Sequence, residues 1–364
     1  MNRLIALPAK VRRQGCRWAT RRLLQKILSP YTIVGRWLRI LLFRVVLRSD
    51  SKRDDSELFF ACYDLDTSAV TFDFAWFLIG AEMATRRANK QGFHLVIIPG
   101  RKEGFRDEDE EYEKIIDKKE RRRRIHSIIQ PLAKMHPFCQ RISICSTREE
   151  AQKLLDGYGG GPIVYPDLYH TSIAVEFSYR QIMTDGTVPG AFEGFRANSD
   201  ARLFVENWMK TNVPEGCLPV VITLRHYSFM PSRNSDLAAW SAFSRGLDRK
   251  KYWPIFIHDA EAKLEDFSND FEGECFFPEA AHDVALRMAV YELAYLNMFV
   301  NNGPAALAQL NPNCRYLYFK IMVPDCPQTT EKFLRRRNWI PGETPRFAKP
   351  WQKWVWKDDR TEVI

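Results

Sequence analysis

From Glu57 onward, short apolar runs alternate with longer stretches of helical spacing. Leu58 to Tyr63, Phe93 to Ile98, Arg141 to Cys145 and Pro162 to Tyr165 read as strands. Phe72 to Arg87, a charged stretch from Glu110 to Lys134 and a segment opening near Thr147 read as the helices between them. The order β-α-β-α-β-α-β is that of a doubly wound parallel sheet. The second half repeats it. Leu218 to Leu224, Trp253 to His258, Cys275 to Phe277, Met298 to Val300 and Arg315 to Phe319 are strand-like, with helices at Asp236 to Gly246, at Ala281 to Leu296 and from Pro304. Two similar α/β halves predict two Rossmann-like domains facing a cleft, over residues 57–190 and 199–328, with Gly186, Pro189, Gly190 and Gly194 loosening the chain between them. Residues 329–364, which carry Trp339, Trp351, Trp354 and Trp356, are expected to cross back and brace the first domain.

Residues 1–49 have a different pattern. Cys16, Ala19, Leu23 and Ile27 recur at helical spacing among Arg12, Arg13, Arg17, Arg21, Arg22 and Lys26. A second helix follows, with Val34, Leu38, Leu41, Leu42, Val45 and Val46 on one side and Arg36, Arg39, Arg44 and Arg48 on the other. Basic amphipathic helices with Trp18, Trp37 and Phe43 suit an anionic membrane surface. Packing against the body and service as a targeting segment are the other two readings. Membrane contact puts the protein in the cytoplasm, peripheral to the inner face of a membrane.

Composition sharpens this division. The net charge is +9, yet residues 1–49 hold twelve Lys or Arg and no acid, which leaves −3 on the remaining 315. A basic face on the body is therefore not implied, and nucleic acid is not an expected partner. The longest uncharged stretch, Leu293 to Cys314, contains five asparagines and two prolines, a poor membrane span. The eight cysteines form no CxxC pair and fit a reducing compartment, and the seven histidines are scattered, so no metal site is expected. The acids that open the Arg106–Arg124 run and the arginines that close it match the dipole of a solvated helix. The loop Gly157 to Gly161 lacks the Lys and Ser/Thr of a phosphate loop.

Three segments carry candidate chemistry. In FVNNGPAALAQL, Asn301 and Asn302 end a strand, Gly303 permits close backbone approach, and Pro304 opens a helix, which suits a diphosphate at the helix N-terminus; a plain helix cap explains the same residues. In VITLRHYSFMPSRNSD, Arg225 follows a strand directly, and Arg233 and Asn234 follow on its loop. If both strands share a sheet, the two arginines and the helix end converge on one anion. Pairing of Arg225 with Asp259 is the alternative; Asp259 itself, with His258 and Glu261, ends the neighbouring strand and is placed to touch a ribose or sugar. Glu279, His282 and Arg287 flank the start of the long helix and are candidates for a base or ribose, with ordinary helix capping as the equal alternative. In ACYDLDTSAVTFD, Asp64 and Asp66 fall in the first β-α loop, and a carboxylate there serves as general base; Asp66 is the first choice, then Asp64, then Asp73. Arg101, Lys102 and Arg106, in the loop after the second strand, are candidates for an anionic acceptor or lipid, Arg101 and Arg106 first.

NNGPAAL resembles the strand, Gly-Pro and helix element of the C-terminal domain in GT-B glycosyltransferases such as the ADP-heptose transferases, except that Ala306 stands near where many of them carry histidine. The Val221–Asp236 segment resembles the strand-end Arg motif of the GDP-fucose transferases, without its His-x-Arg form. The resemblance implies a GT-B-like fold, diphosphate contacts at Arg225 and the Gly303 turn, and an acid in the first β-α loop. The expected activity is metal-independent transfer of a sugar from a nucleotide-sugar substrate, with no other cofactor, to a saccharide or lipid-linked acceptor in surface glycan assembly. Two rival chemistries use the same acids: DLD as a metal-holding DxD, and DLDTS as the nucleophile loop of a haloacid-dehalogenase-like phosphatase. A non-catalytic nucleotide-binding or scaffold protein is the remaining alternative.

Overall fold

The computed structural model describes residues 16–45, 58–157, 163–260, 262, 264–267 and 270–364. Residues 1–15 and 46–49 of the N-terminal segment, most of the Gly157–Gly161 loop and Glu261 lie outside them.

The first sheet holds β1 (Leu58–Asp64), β2 (Gly92–Ile98), β3 (Cys139–Ile144) and β4 (Val164–Tyr165) in the order β3-β2-β1-β4, all parallel. β2 is buried along its whole length, as the unbroken run GFHLVII requires of a strand covered on both faces, whereas no residue of the edge strand β3 (CQRISI) is fully buried. The second sheet holds β5 (Leu218–Thr223), β6 (Tyr252–Ile257), β7 (Cys275–Phe276), β8 (Leu296–Val300), β9 (Tyr316–Phe319) and β10 (Gln352–Trp354) in the order β10-β9-β8-β5-β6-β7, again parallel. The architecture is thus two doubly wound α/β units, as the alternating pattern predicts. The chain order reverses between β1 and β4 in one sheet and between β5 and β8 in the other.

Local chemistry sets the helix ends. Asn198, Asp236 and Asp283 each accept a backbone amide of the helix they precede. The charged stretch predicted as one helix is instead broken into helices at Glu110–Ile115 and Lys118–Arg124, a π turn at Ile125–Ile129 and a last helix at Gln130–Lys134. The break follows from a second cap, Asp117, which accepts the Glu120 amide at 2.7 Å. It turns Arg121 inward, where it is buried, donating to the Arg106 carbonyl at 3.2 Å and reaching Glu113 at 3.1 Å.

One helix, Asp73–Arg87, joins the two units. It is apolar nearly all round because it is buried on nearly every side. Its Gly80 lies against Tyr165, and its Trp76 packs on Trp339 (5.7 Å) and Phe347 (6.2 Å) of the C-terminal tail. That tail crosses to the first unit, where the Arg337 guanidinium lies 3.7 Å from the centroid of the Tyr179 ring. It then returns to add β10 to the second sheet, an edge strand that the sequence pattern does not announce. The same helix carries Glu82, fully buried, which accepts the amides of Glu193 (2.6 Å) and Gly194 (3.2 Å), pairs with Arg86 at 2.9 Å and lies 3.3 Å from His136. Those amides belong to the linker between the units. Gly194 has φ of 76°, and a Cβ there would meet the Leu310 carbonyl oxygen at 1.9 Å, so only glycine serves.

Burial alone would raise the Glu82 pKa, but His136 and the two linker amides outweigh it and hold the carboxyl below its ordinary 4.5. A depressed carboxylate stabilises the fold above its unfolded pKa and loses that contribution as pH falls through the folded one. Glu82→Ala is expected to lower unfolding free energy by about 3–5 kcal/mol near neutral pH and to flatten the fall in stability below about pH 4.5, both measurable by urea titration across pH.

Candidate functional site

β5 and β8 pair side by side, with Thr223 opposite Phe299, at the point where the strand order reverses. Loops leaving the carboxyl ends of two such strands diverge and open a crevice. Arg225 lies two residues beyond β5 and Asn301 directly follows β8, so the two sequence-predicted segments meet here. The contact is direct: Arg233 donates Nη2 to the Asn301 carbonyl at 2.8 Å and to its Oδ1 at 3.0 Å.

Arg225 is the post around which its own loop is wound. Nη1 donates to the Met230 carbonyl (3.1 Å) and to Asn234 Oδ1, and Nη2 donates to the Phe229 carbonyl at 2.5 Å. Met230 sits at φ of 57°, a strained region for a side-chain-bearing residue, and this turn directs its carbonyl back to the guanidinium. Burial, and then Arg233, lower the Arg225 pKa to about 10 against the pull of Asp259. Asp259 does not pair with Arg225: its Oδ2 accepts the His226 amide at 2.8 Å, and burial raises its pKa. Two guanidiniums therefore face one crevice, and among the described residues neither makes an ion pair with a carboxylate.

The crevice is a cavity of about 410 Å3, within the range of small-molecule sites. The second unit lines it with Arg225, Arg233, Asp259, Arg287, Asn301 and the Asn302–Pro304 turn. From the first unit come Phe72, Asp73, Arg106, Tyr112 and Arg124; from the tail, Thr329, Arg337 and Trp339. Two contacts close it across the units: the Tyr112 and Phe229 rings meet edge to face at 5.4 Å, and Arg124 donates to the Tyr227 hydroxyl at 3.3 Å. Gly303 matters by absence of bulk, since a Cβ would stand 3.0 Å from the Phe72 ring.

Five buried side-chain donors on lining residues have no hydrogen-bond partner among the described residues: Arg233 Nε, Arg287 Nη1 and Asn302 Nδ2 from the second unit, Tyr112 Oη from the first and Trp339 Nε1 from the tail. A buried donor left unmade costs about 1–3 kcal/mol, and more when charged. Two of these donors belong to guanidiniums and the others are neutral, a set that matches a ligand rich in anionic oxygens, such as a diphosphate.

The other predicted residues fall elsewhere. Asn234 does not line the cavity; its Oδ1 accepts from Arg225 and from the Tyr227 amide (3.2 Å), so it positions the loop. The helix after Pro304 is only Ala305–Gln309, and Asn302 Oδ1 already accepts the Ala305 amide at 2.9 Å, so the expected open helix terminus with free amides is not formed; side chains carry the positive charge.

The first-loop acids are corrected more sharply. Asp64 is fully buried and accepts four hydrogen bonds: Arg148 Nη1 (2.8 Å) and Nη2 (2.7 Å), Tyr169 Oη (2.6 Å) and the Asp66 amide (2.9 Å). No lone pair remains for a nucleophile or base, which removes the phosphatase reading of DLDTS. Asp66 is held by Arg101, through its amide at 3.1 Å and its guanidinium at 2.5 Å, and does not line the cavity. Arg101 spends its remaining donors on the Thr171 and Ser172 carbonyls, both at 2.9 Å, and is outside the cavity too. Arg106 does line it, paired with Glu108 at 2.5 Å.

The carboxylate that the first unit brings to the cavity beside Glu108 and Asp109 is Asp73, at the start of the joining helix. It lies near Tyr63 and Tyr179, whose phenol pKa values burial first and the Asp73 charge second hold well above 10. Tyr112, Arg124 and the tail residues Arg337 and Trp339 have no local sequence signal, because folding alone brings them to the β5–β8 crevice.

Arg233→Ala is expected to weaken inorganic pyrophosphate binding by about ten- to a hundredfold in isothermal titration. Unchanged affinity would move the anion site away from this loop.

No protein-family model matches the sequence, and no curated protein matches it. Solved structures do. A glycosyl transferase family 9 structure from Veillonella parvula superposes with a TM-score of 0.52 at 10% identity, over 84% of this chain and 87% of that one. The E. coli ADP-heptose heptosyltransferase II gives 0.46 at 8% identity, over 84% and 94%. NodZ, an α-1,6-fucosyltransferase from Bradyrhizobium soaked with GDP-fucose, gives 0.34 at 13% identity, over 72% and 96%. The chain has the two-domain, GT-B-type fold of the family 9 structure.

Proposed function

We propose that the protein is a glycosyltransferase that takes a sugar from a nucleotide-sugar donor and passes it to a hydroxyl of a saccharide or lipid-linked acceptor in surface glycan assembly. The observation that carries this reading is the set of unpartnered donors on Arg233, Arg287 and Asn302 around one interdomain cavity at the strand-order reversal of the second sheet. The shared GT-B-type fold supports it.

In the proposed reaction the acceptor oxygen attacks the anomeric carbon while the bond from that carbon to the diphosphate oxygen breaks. The electron pair leaves with the diphosphate, whose growing charge is met by Arg233, Arg225 and Arg287 and by the Asn302 amide group. The acceptor proton passes to Asp73, which enters the cavity from the opposite unit. Arginines replace a divalent cation as the counter-charge in this scheme, so the reaction is expected to be insensitive to chelators.

Asp73→Asn keeps the size of the side chain and is expected to reduce the rate of transfer by about 10²- to 10⁴-fold while nucleoside-diphosphate affinity stays within about twofold. Asp66→Asn, outside the cavity lining, is expected to leave donor affinity and most of the rate. Radiolabelled sugar transfer, screened over donors with and without EDTA, distinguishes these outcomes. A full rate in the Asp73 variant, or a strict need for metal, would overturn the scheme; binding without hydrolysis or transfer for any donor would favour a non-catalytic nucleotide-binding protein.

A further inference from the structure

The N-terminal helices Cys16–Ile27 and Ile33–Val45 form a hairpin that packs inside out. An amphipathic helix on a globular body normally buries its apolar stripe and exposes its charges. Here the second helix turns Arg39 inward until it is fully buried. Arg39 Nε donates to the Leu168 carbonyl at 2.5 Å, Nη1 to the Leu28 carbonyl at 3.2 Å and Nη2 to the Ile173 carbonyl, while Arg36 pairs with Asp167. Phe43 meets His170 edge to face at 5.8 Å. The opposite side points to solvent: Ile33 is 81% exposed, Val34 69%, Trp37 68% and Leu41 59%. The first helix repeats the inversion, with Arg21 and Arg22 half-buried and Leu23, Leu24 and Ile27 exposed.

Solvent does not stabilise such an arrangement. Arg39, with three carbonyl partners, fixes the hairpin to the loop that follows β4, and that fixture forces the leucine, isoleucine and tryptophan face outward. We infer that this face docks on an anionic lipid surface, with Ile33, Val34, Trp37 and Leu41 inserted among the acyl chains at the headgroup boundary. Charge complementarity selects this occupant: residues 1–49 hold twelve basic residues and no acid, and exposed Lys26 borders the apolar face. Among the described residues no helix is long and apolar enough to cross a membrane, so the contact is an in-plane one. The sequence pattern places Arg36 and Arg39 at the headgroups; the structure gives them to the body instead, and the hairpin is fastened to the first unit, independent of whatever the cleft binds.

The full chain is expected to co-sediment with phosphatidylglycerol vesicles, to do so less as sodium chloride rises, and to leave phosphatidylcholine vesicles unbound. Trp37→Glu with Leu41→Glu, both at exposed positions, is expected to weaken phosphatidylglycerol binding by about tenfold or more with pyrophosphate affinity unchanged. Retained vesicle binding by that variant, equal binding to both lipids, or no binding by the wild type overturns the inference. A wild-type dimer that the double variant converts to monomer, with no vesicle binding by either, assigns the face to a second copy of the chain instead.

Discussion

Two guanidiniums, Arg225 and Arg233, are held in one crevice with no ion-pairing carboxylate among the described residues, and hydrogen bonds to carbonyls and asparagines hold them there. Arg225 is stabilised by three acceptors of its own loop and by a left-handed Met230, while Asp259, near enough to neutralise it, is bonded to the His226 amide. Loss of water first, and repulsion by Arg233 second, lower the pKa of Arg225. An anion that enters the cavity relieves the repulsion and supplies acceptors to donors the protein leaves unused.

The first sheet shows the opposite solution at the equivalent place. Its chain order also reverses, between β1 and β4, but there Arg148 meets Asp64 in a two-pronged pair, Tyr169 adds a third donor group, and Arg101 covers Asp66. The crevice of one sheet is filled by the chain's own compensated charges, and that of the other is left electropositive and open. Parallel-sheet geometry creates both; side-chain pairing decides which one can take a ligand.

The joining helix couples this site to the stability of the whole chain. Asp73 opens it, Trp76 packs on the tail, and Glu82 ties down the linker between the units. The cavity therefore lies against a rigid, buried element on one side and a strained loop on the other. Tyr112 against Phe229 and Arg124 against Tyr227 show the loop engaged with the first unit.

The amino-acid sequence by itself determined the two repeated α/β units, since strand and helix periods are local properties, and it determined that Arg225 and Asn301–Gly303 stand at strand ends. Adjacent parallel strands then had to bring those segments together. What it did not determine was the partner of each charge. Asp64 finds Arg148, Asp66 finds Arg101 and Arg39 finds the carbonyls of Leu168 and Ile173, all across long sequence separations, so an acid read as a base became a structural anchor and an arginine read as lipid-facing became a core residue. Asp73, Arg337 and Trp339 reached the cavity for the same reason. A buried charge must be compensated by whatever folding brings near it, and only the tertiary structure decides which groups those are.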